Sequence, residues 1–370
     1  MKILFDHQIF SIQKYGGVSR YFFEVAKGIA ETLENEVEIF APLYVNEYFL
    51  NNSRVYPWGI KIPHLPKSKH IVGIVNHELQ RMLVKRRRDV DIFHETYYSM
   101  ADHCPASAKR VVTVYDMIHE KFSEYFPVID KTQQKKAHVV SRADHVICIS
   151  ENTKRDLMDL LSVPEEKISV VYLGCSLKPR TEKKTGIPRF FQKPYILYVG
   201  YRLGYKNFER LLHAYASSTF LRNEFALVCF GGGAFSPREL DLMQLLRIPK
   251  QNIRYLAGTD EILAELYDSA TVFVYPSLYE GFGIPPLEAM SFGCPVVSAN
   301  TSSIPEVVGD AAELFDPYDV EGICAAIERV VSTPEHADML VKKGQKRINL
   351  FSWEKCVENT LNVYRKILGA

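Results

Sequence analysis

Residues 272–293 read VFVYPSLYEGFGIPPLEAMSFG, and their order of residue types decides the fold. The first four are apolar and β-prone without alternation, as in a parallel strand covered on both faces. Gly281 and Gly283 then permit a tight turn, and Pro285 and Pro286 fit the first turn of a helix, where N–H groups lack internal partners. Strand, glycine turn and helix predict one βα unit whose helix N-terminus offers amides to an anion. Glu280 lies in the turn and Glu288 early in the helix, eight residues apart. A carboxylate accepts two hydroxyl hydrogen bonds, which suits a vicinal diol. Taken singly, Glu280 also reads as a solvated loop acid and Glu288 as an acid favoured by the helix dipole.

The same pattern runs outward through the 370 residues. Strands are expected at 2–5, 37–41, 92–94, 111–115, 146–149 and 168–172, then at 195–199, 226–230, 253–256, 272–275, 296–299 and 313–315. Helices are expected at 18–31, at 152–161 behind the N-cap Ser150, at 261–269 behind Asp260, and at 320–331 behind Asp319. This alternation predicts an α/β chain of two Rossmann-like, doubly wound parallel sheets, 1–180 and 190–350, joined by a charged Pro/Gly linker at 178–193. The amphipathic stretch 352–368 is expected to form a terminal helix packing back on the first domain. Ligands are expected beyond the carboxyl ends of the strands, in a cleft where the two domains face each other.

Lys and Arg total 45 against 44 Asp and Glu, a net charge of +1, so no global field points to nucleic acid. The seven cysteines (104, 148, 175, 229, 294, 324, 356) are scattered and form no Cys-x-x-Cys, which favours buried thiols in a reducing compartment. No stretch approaches the roughly 20 apolar residues of a membrane span. A cytoplasmic protein is expected, with peripheral contact on the inner face of the membrane left open. Between residues 67 and 88, seven Lys or Arg (67, 69, 81, 85, 86, 87, 88) face one acid, Glu78, among Ile71, Val72, Ile74, Val75, Leu79, Met82 and Leu83. That reads either as a membrane-surface helix or as a buried-face helix with a solvated basic end.

The run from Glu280 to Glu288, continued by Ala289, Gly293, Pro295-Val296-Val297, SSIPEV at 302–307 and Gly309, resembles the Glu-x7-Glu motif of the retaining glycosyltransferases of family GT4, which have the GT-B fold. The resemblance implies a first domain that binds acceptor and a second that binds a nucleotide-diphosphate sugar. Glu288 would hold the ribose hydroxyls, and Glu280 the hydroxyls of the transferred sugar. Gly281, Phe282, Gly283, Ile284 and Leu287 would complete that side of the donor site. The implied reaction is hexose transfer with retention to a saccharide or lipid-linked saccharide in surface-polysaccharide assembly. GDP-mannose is the first expectation for the donor, and no cofactor or metal is expected.

The segment 198–207, YVGYRLGYKN, resembles the family's basic loop, with Arg202 and Lys206 as the diphosphate cations. Many relatives have adjacent Arg-Lys; here Tyr205 stands at the Arg position. Gly16-Gly17 is similar to the family's N-terminal glycine loop, with Gly17 toward the diphosphate, and Gly231-Gly232-Gly233 is expected to line the donor side through Gly232. Neither cluster is a full G-x-G-x-x-G. The segment 254–260, RYLAGTD, resembles the base-binding strand and loop.

On the acceptor side, Asp116 and His119 follow the 111–115 strand and are candidates for the chemistry. The position where relatives carry His is Tyr115. His94 and His119 read equally as structural histidines. Asp89-Val90-Asp91 has the spelling of a metal-binding D-x-D but precedes an apolar strand instead of ending one. No side chain announces itself as general base, so front-face substitution is expected, with double displacement through Glu280 as the rival. A nucleotide-sugar 2-epimerase and a non-catalytic nucleotide-binding scaffold stay open as alternatives.

Overall fold

The computed structural model describes the chain except residues 33, 52–54, 64–68, 178, 180–192, 203 and 370, and except the side chains of 50, 51, 69 and 70. Of the expected linker at 178–193, only residues 179 and 193 are described. The chain forms two units, Met1–Gly174 with Trp353–Ala370, and Cys175–Ser352.

The first unit holds a seven-stranded sheet of β1 (Lys2–Phe5), β2 (Glu36–Tyr44), β3 (Pro57–Lys61), β4 (Ile92–Glu95), β5 (Lys109–Val114), β6 (His145–Cys148) and β7 (Ile168–Val170). Its order is β3-β2-β1-β4-β5-β6-β7, with every pairing parallel. The second holds β8 (Tyr195–Val199), β9 (Ala226–Phe230), β10 (Ile253–Leu256), β11 (Val272–Tyr275), β12 (Val296–Ala299) and β13 (Glu313–Phe315), in the order β10-β9-β8-β11-β12-β13, again parallel. Both are the doubly wound sheets expected, each with one crossover point, between β1 and β4 and between β8 and β11.

The second sheet matches its expected strands to the residue, and β8, β9, β11 and β12 are buried on both faces. The first sheet departs at β3, which was not expected. Its run PWGIK contains Pro and Gly and lies at the sheet edge, with Trp58 and Ile60 exposed. Trp58 stacks on Phe40 of the neighbouring strand, 4.8 Å between centroids.

The helix Glu151–Leu161 starts at Ser150, whose hydroxyl accepts the Thr153 N–H at 3.0 Å. Asp319 caps Val320–Ser332 in the same way, whereas Asp260 is the first residue of its helix and Thr259 the cap position. The helix Trp353–Leu368 contributes Tyr364 to the first unit's core, where its hydroxyl meets His94 Nδ1 at 2.6 Å. His94 Nε2 pairs with Thr113 Oγ1 at 2.9 Å. The ring is fully buried, and burial lowers its pKa to about 3. His94 is therefore a neutral structural residue.

Candidate active site

Two loops leave the second sheet at its crossover, one after β8 and one after β11. Asn207 fastens them: its side-chain amide donates to the carbonyls of Pro276 (3.0 Å) and Pro317 (2.7 Å). It does so at φ 60°, a left-handed conformation that asparagine tolerates better than most residues. The Leu278 N–H donates to the Tyr205 carbonyl at 2.8 Å, a second tie between the loops.

These ties bring Lys206 to Glu280. Lys206 Nζ donates to Glu280 Oε1 at 2.7 Å and Oε2 at 3.0 Å, and the Glu280 side chain is buried. The β11 loop is pinned from behind by two serines. The Glu280 N–H donates to Ser302 Oγ at 2.9 Å, and the single hydroxyl proton of Ser303 is shared between the carbonyls of Glu280 (2.8 Å) and Phe282 (2.9 Å). Tyr275, at the end of β11, is buried beside this carboxylate; burial first, and Glu280 second, hold its phenol well above the ordinary value.

Gly283 ends the loop at φ 108°, strained for any residue with a Cβ, and caps the helix Ile284–Ser291, which carries Pro285 and Pro286 in its first turn. Ile284 and Leu287 lie on this helix, and Leu287 is fully buried. Glu288, also buried, accepts a hydrogen bond from Tyr267 Oη at 3.2 Å. One turn and one short helix thus hold two buried carboxylates and an amide-rich N-terminus, one carboxylate already neutralised by a lysine.

Arg202 is placed differently. Its Nε donates to Glu239 at 2.6 Å, Nη1 to the Gly231 carbonyl at 3.0 Å, and Nη2 to the carbonyls of Gly233 (2.6 Å) and Ala234 (3.0 Å). Gly232 sits inside the turn so formed, at φ 74°, where a Cβ would lie 2.7 Å from the Gly200 carbonyl oxygen. The segment 254–260 runs from β10 toward the helix Asp260–Ser269, and Gly231 donates to the Leu256 carbonyl at 3.0 Å.

In the first unit, Gly17 opens the helix Gly17–Ala30, and a Cβ there would touch nothing within 4 Å. Asp116 Oδ1 accepts the Ile118 N–H at 3.0 Å and lies 3.8 Å from Lys136 Nζ, which is buried against Glu120 at 2.8 Å. His119 stacks on Phe126 at 4.0 Å, with Nε2 3.6 Å from Asp130. Tyr115 is buried and donates to the Thr96 carbonyl at 3.3 Å. The Asp89-Val90-Asp91 carboxylates are engaged by cations and backbone: Asp89 pairs with Arg87 (2.7 Å) and Lys2 (2.9 Å), and Asp91 accepts the Lys2 N–H at 2.8 Å. Among the described residues no group of three or more His, Cys, Asp or Glu has the geometry of a metal site.

Asn207, Ser303 and Glu239 were not singled out from the sequence. Asn207 was visible only as part of the basic loop and Ser303 only as part of SSIPEV; their partners lie tens of residues away, so only the folded chain assigns them a task.

The sequence pattern described as Glycosyltransferase Family 4 matches residues 15–178, and that described as Glycosyl transferases group 1 matches residues 179–347. The chain is 30% identical over 373 residues to the O-antigen chain mannosyltransferase B of Escherichia coli, spanning 94% of this chain and 96% of that one. It is 28% identical over 243 residues to the MMP alpha-(1->4)-mannosyltransferase of Mycolicibacterium hassiacum, spanning 64% of this chain and 57% of that one. The sucrose-phosphate synthase of Thermosynechococcus elongatus shares the fold, with a TM-score of 0.75 at 19% identity over 100% of this chain and 99% of that one.

Proposed function

Because this chain belongs to glycosyltransferase family 4, we propose that it moves mannose from GDP-mannose to a saccharide or lipid-linked saccharide of a surface polysaccharide, with retention at the anomeric carbon. The first unit takes the acceptor and the second the donor. The observation that carries this reading is the Lys206–Glu280 pair beside the Gly283-capped helix that bears Glu288. A departing nucleoside diphosphate gains negative charge, and a fixed ammonium next to helix N-terminal amides stabilises it. Glu288 grips the ribose diol, Glu280 a hydroxyl of the sugar, and Gly281 and Phe282 present backbone to the phosphates. Mannose is favoured because two of the relatives named above are mannosyltransferases.

Lys206 on both Glu280 oxygens supports front-face substitution over a glycosyl ester, since an ion-paired carboxylate is a poorer nucleophile. The leaving phosphate oxygen takes the acceptor's proton as the new bond forms. Asp116 orients the acceptor hydroxyl, and His119 supports that loop through Phe126. Metal-independent transfer is favoured because lysine and amides already supply the electrophilic field.

Calorimetry with GDP, UDP and ADP tests the donor class, and NMR of the product's anomeric proton tests retention. Binding of none of the three, or an inverted product, contradicts the proposal. Conversion of the donor sugar without acceptor would favour the epimerase alternative.

Among the described residues, no helix is long and apolar enough to cross a membrane. Peripheral contact is supported by the helix Lys69–Leu83, which buries Val72, Asn76 and Gln80 while exposing Ile71, Ile74, Met82 and Leu83. Lys85, Arg86 and Arg88 are exposed just beyond it, whereas Arg87 is held by Glu38 and Asp89. Residue 67, counted in the basic segment, lies outside the described residues. Sedimentation with anionic vesicles, lost on neutralising Lys85, Arg86 and Arg88, is the expected result. Retention of binding by that variant would contradict it.

A further inference from the structure

Arg202 and Lys206 stand four residues apart in one loop, yet they are held in opposite ways. Lys206 bears on the carboxylate at the sheet crossover. The Arg202 side chain is 4% exposed and makes four hydrogen bonds, to Glu239 and to three carbonyls. A guanidinium has five N–H donors, so one is left over. The rings of Phe235, Tyr255 and Phe208 stand 4.9, 5.6 and 5.7 Å from its centre. With four donors committed, the guanidinium has no two-pronged edge left for a phosphate.

What Arg202 does hold is a turn. Gly231, Gly232 and Gly233 all have positive φ, 83°, 74° and 82°. Such a turn leaves carbonyls without ladder partners, open to a side-chain donor. Arg202 supplies those of Gly231, Gly233 and Ala234. Glu239 completes the arrangement with its second oxygen, which accepts the Ser236 N–H at 2.6 Å in the capping box of the helix Pro237–Leu245. One carboxylate thereby joins helix, turn and arginine.

We propose that Glu239 and Arg202 are a positioning pair: they shape the Gly231–Gly232–Gly233 turn that receives the donor, and of the two loop cations only Lys206 meets the diphosphate. The inference rests on the donor-site reading above, and reassigns the task that resemblance gives to Arg202. Lysine cannot replace this arginine, because an ammonium lacks the planar fork that reaches three carbonyls and a carboxylate together.

The test is steady-state kinetics on the full chain, together with titration of GDP and GMP, and of UDP and UMP, into Glu239→Gln, Arg202→Lys, Arg202→Gln and the double variant Arg202→Gln/Glu239→Gln. Each single variant is expected to raise the donor KM by about tenfold, with kcat within about threefold, and to weaken diphosphate and monophosphate alike. The double variant recovers part of the Arg202→Gln loss, since two amides leave no charge buried alone. A loss of about 100-fold in kcat for Arg202→Gln, selective for the diphosphate and not relieved in the double variant, overturns the proposal in favour of direct phosphate contact. Unchanged donor KM in all four variants overturns it as well. Lys206→Ala serves as the separate check: wild-type affinity for GDP and UDP there defeats the donor-site reading itself, while the KM comparison still judges the pair.

Discussion

The two sheets have the same winding and one crossover each, but the crossovers are furnished differently. In the second unit the loops after β8 and β11 bring a lysine to a buried glutamate beside a glycine-capped helix. In the first unit Asp6, just after β1, is tied to neighbouring backbone and side chains. Its Oδ1 accepts from the Thr96 N–H (3.0 Å) and hydroxyl (2.5 Å), and its Oδ2 from Gln8 Nε2 at 2.6 Å. One crossover directs a charge pair to where a ligand is expected in such sheets; the other uses its carboxylate to lock loop to strand. The comparison teaches that the fold supplies a place, and that side chains at the strand ends decide whether it becomes a site.

The sharpest way to break this contrast is Glu280→Gln. The amide cannot pair with Lys206 or hold a sugar hydroxyl as a carboxylate does, so kcat should fall on the order of 100-fold with Tm little changed. Preserved kcat would make the pair structural, like Asp6. Asp6→Asn should do the reverse: a loss of about 2 kcal/mol in unfolding free energy by denaturant titration, with donor KM unaltered.

The pH dependence of stability sharpens the comparison further. His94 is held neutral, with its pKa lowered to about 3 from 6.5, so the unfolded chain binds the proton first. Its contribution is complete above pH 6.5 and is lost progressively as pH falls toward 3. Between pH 6.5 and 5 the chain should lose about 2 kcal/mol from this residue. Denaturation at the two pH values checks the loss, and His94→Gln should flatten it. The smallest expected effect belongs to Ser303→Ala, which frees the Glu280 and Phe282 carbonyls; kcat/KM should drop about tenfold, read by initial rates.

How much of this was legible in the sequence follows the same division. Strands buried on both faces announce themselves as apolar runs, which is why Val272–Tyr275 and its neighbours were found to the residue. β3 does not, since an edge strand containing Pro57 and Gly59 lacks that signal. Glu280, Glu288 and Lys206 were singled out through motif spacing and resemblance, and the structure brings Lys206 to Glu280 and places Glu288 on the adjoining helix. The environment of Arg202 was not, because its partners Gly231, Gly233, Ala234 and Glu239 lie 29 to 37 residues onward and only the folded turn brings them to it. His94 and His119 could not be told apart as strings; burial makes the first structural, while the second keeps a partly exposed ring beside Asp130.

The measurement that bears most directly on the whole account is isothermal titration of GDP and GMP into the wild-type chain and Lys206→Ala. If the β-phosphate rests on that ammonium, the variant should lose affinity for the diphosphate by about tenfold or more while binding the monophosphate nearly as before. Equal affinities of the two proteins for GDP, where the wild type binds it, would contradict the placement of the donor at the second crossover.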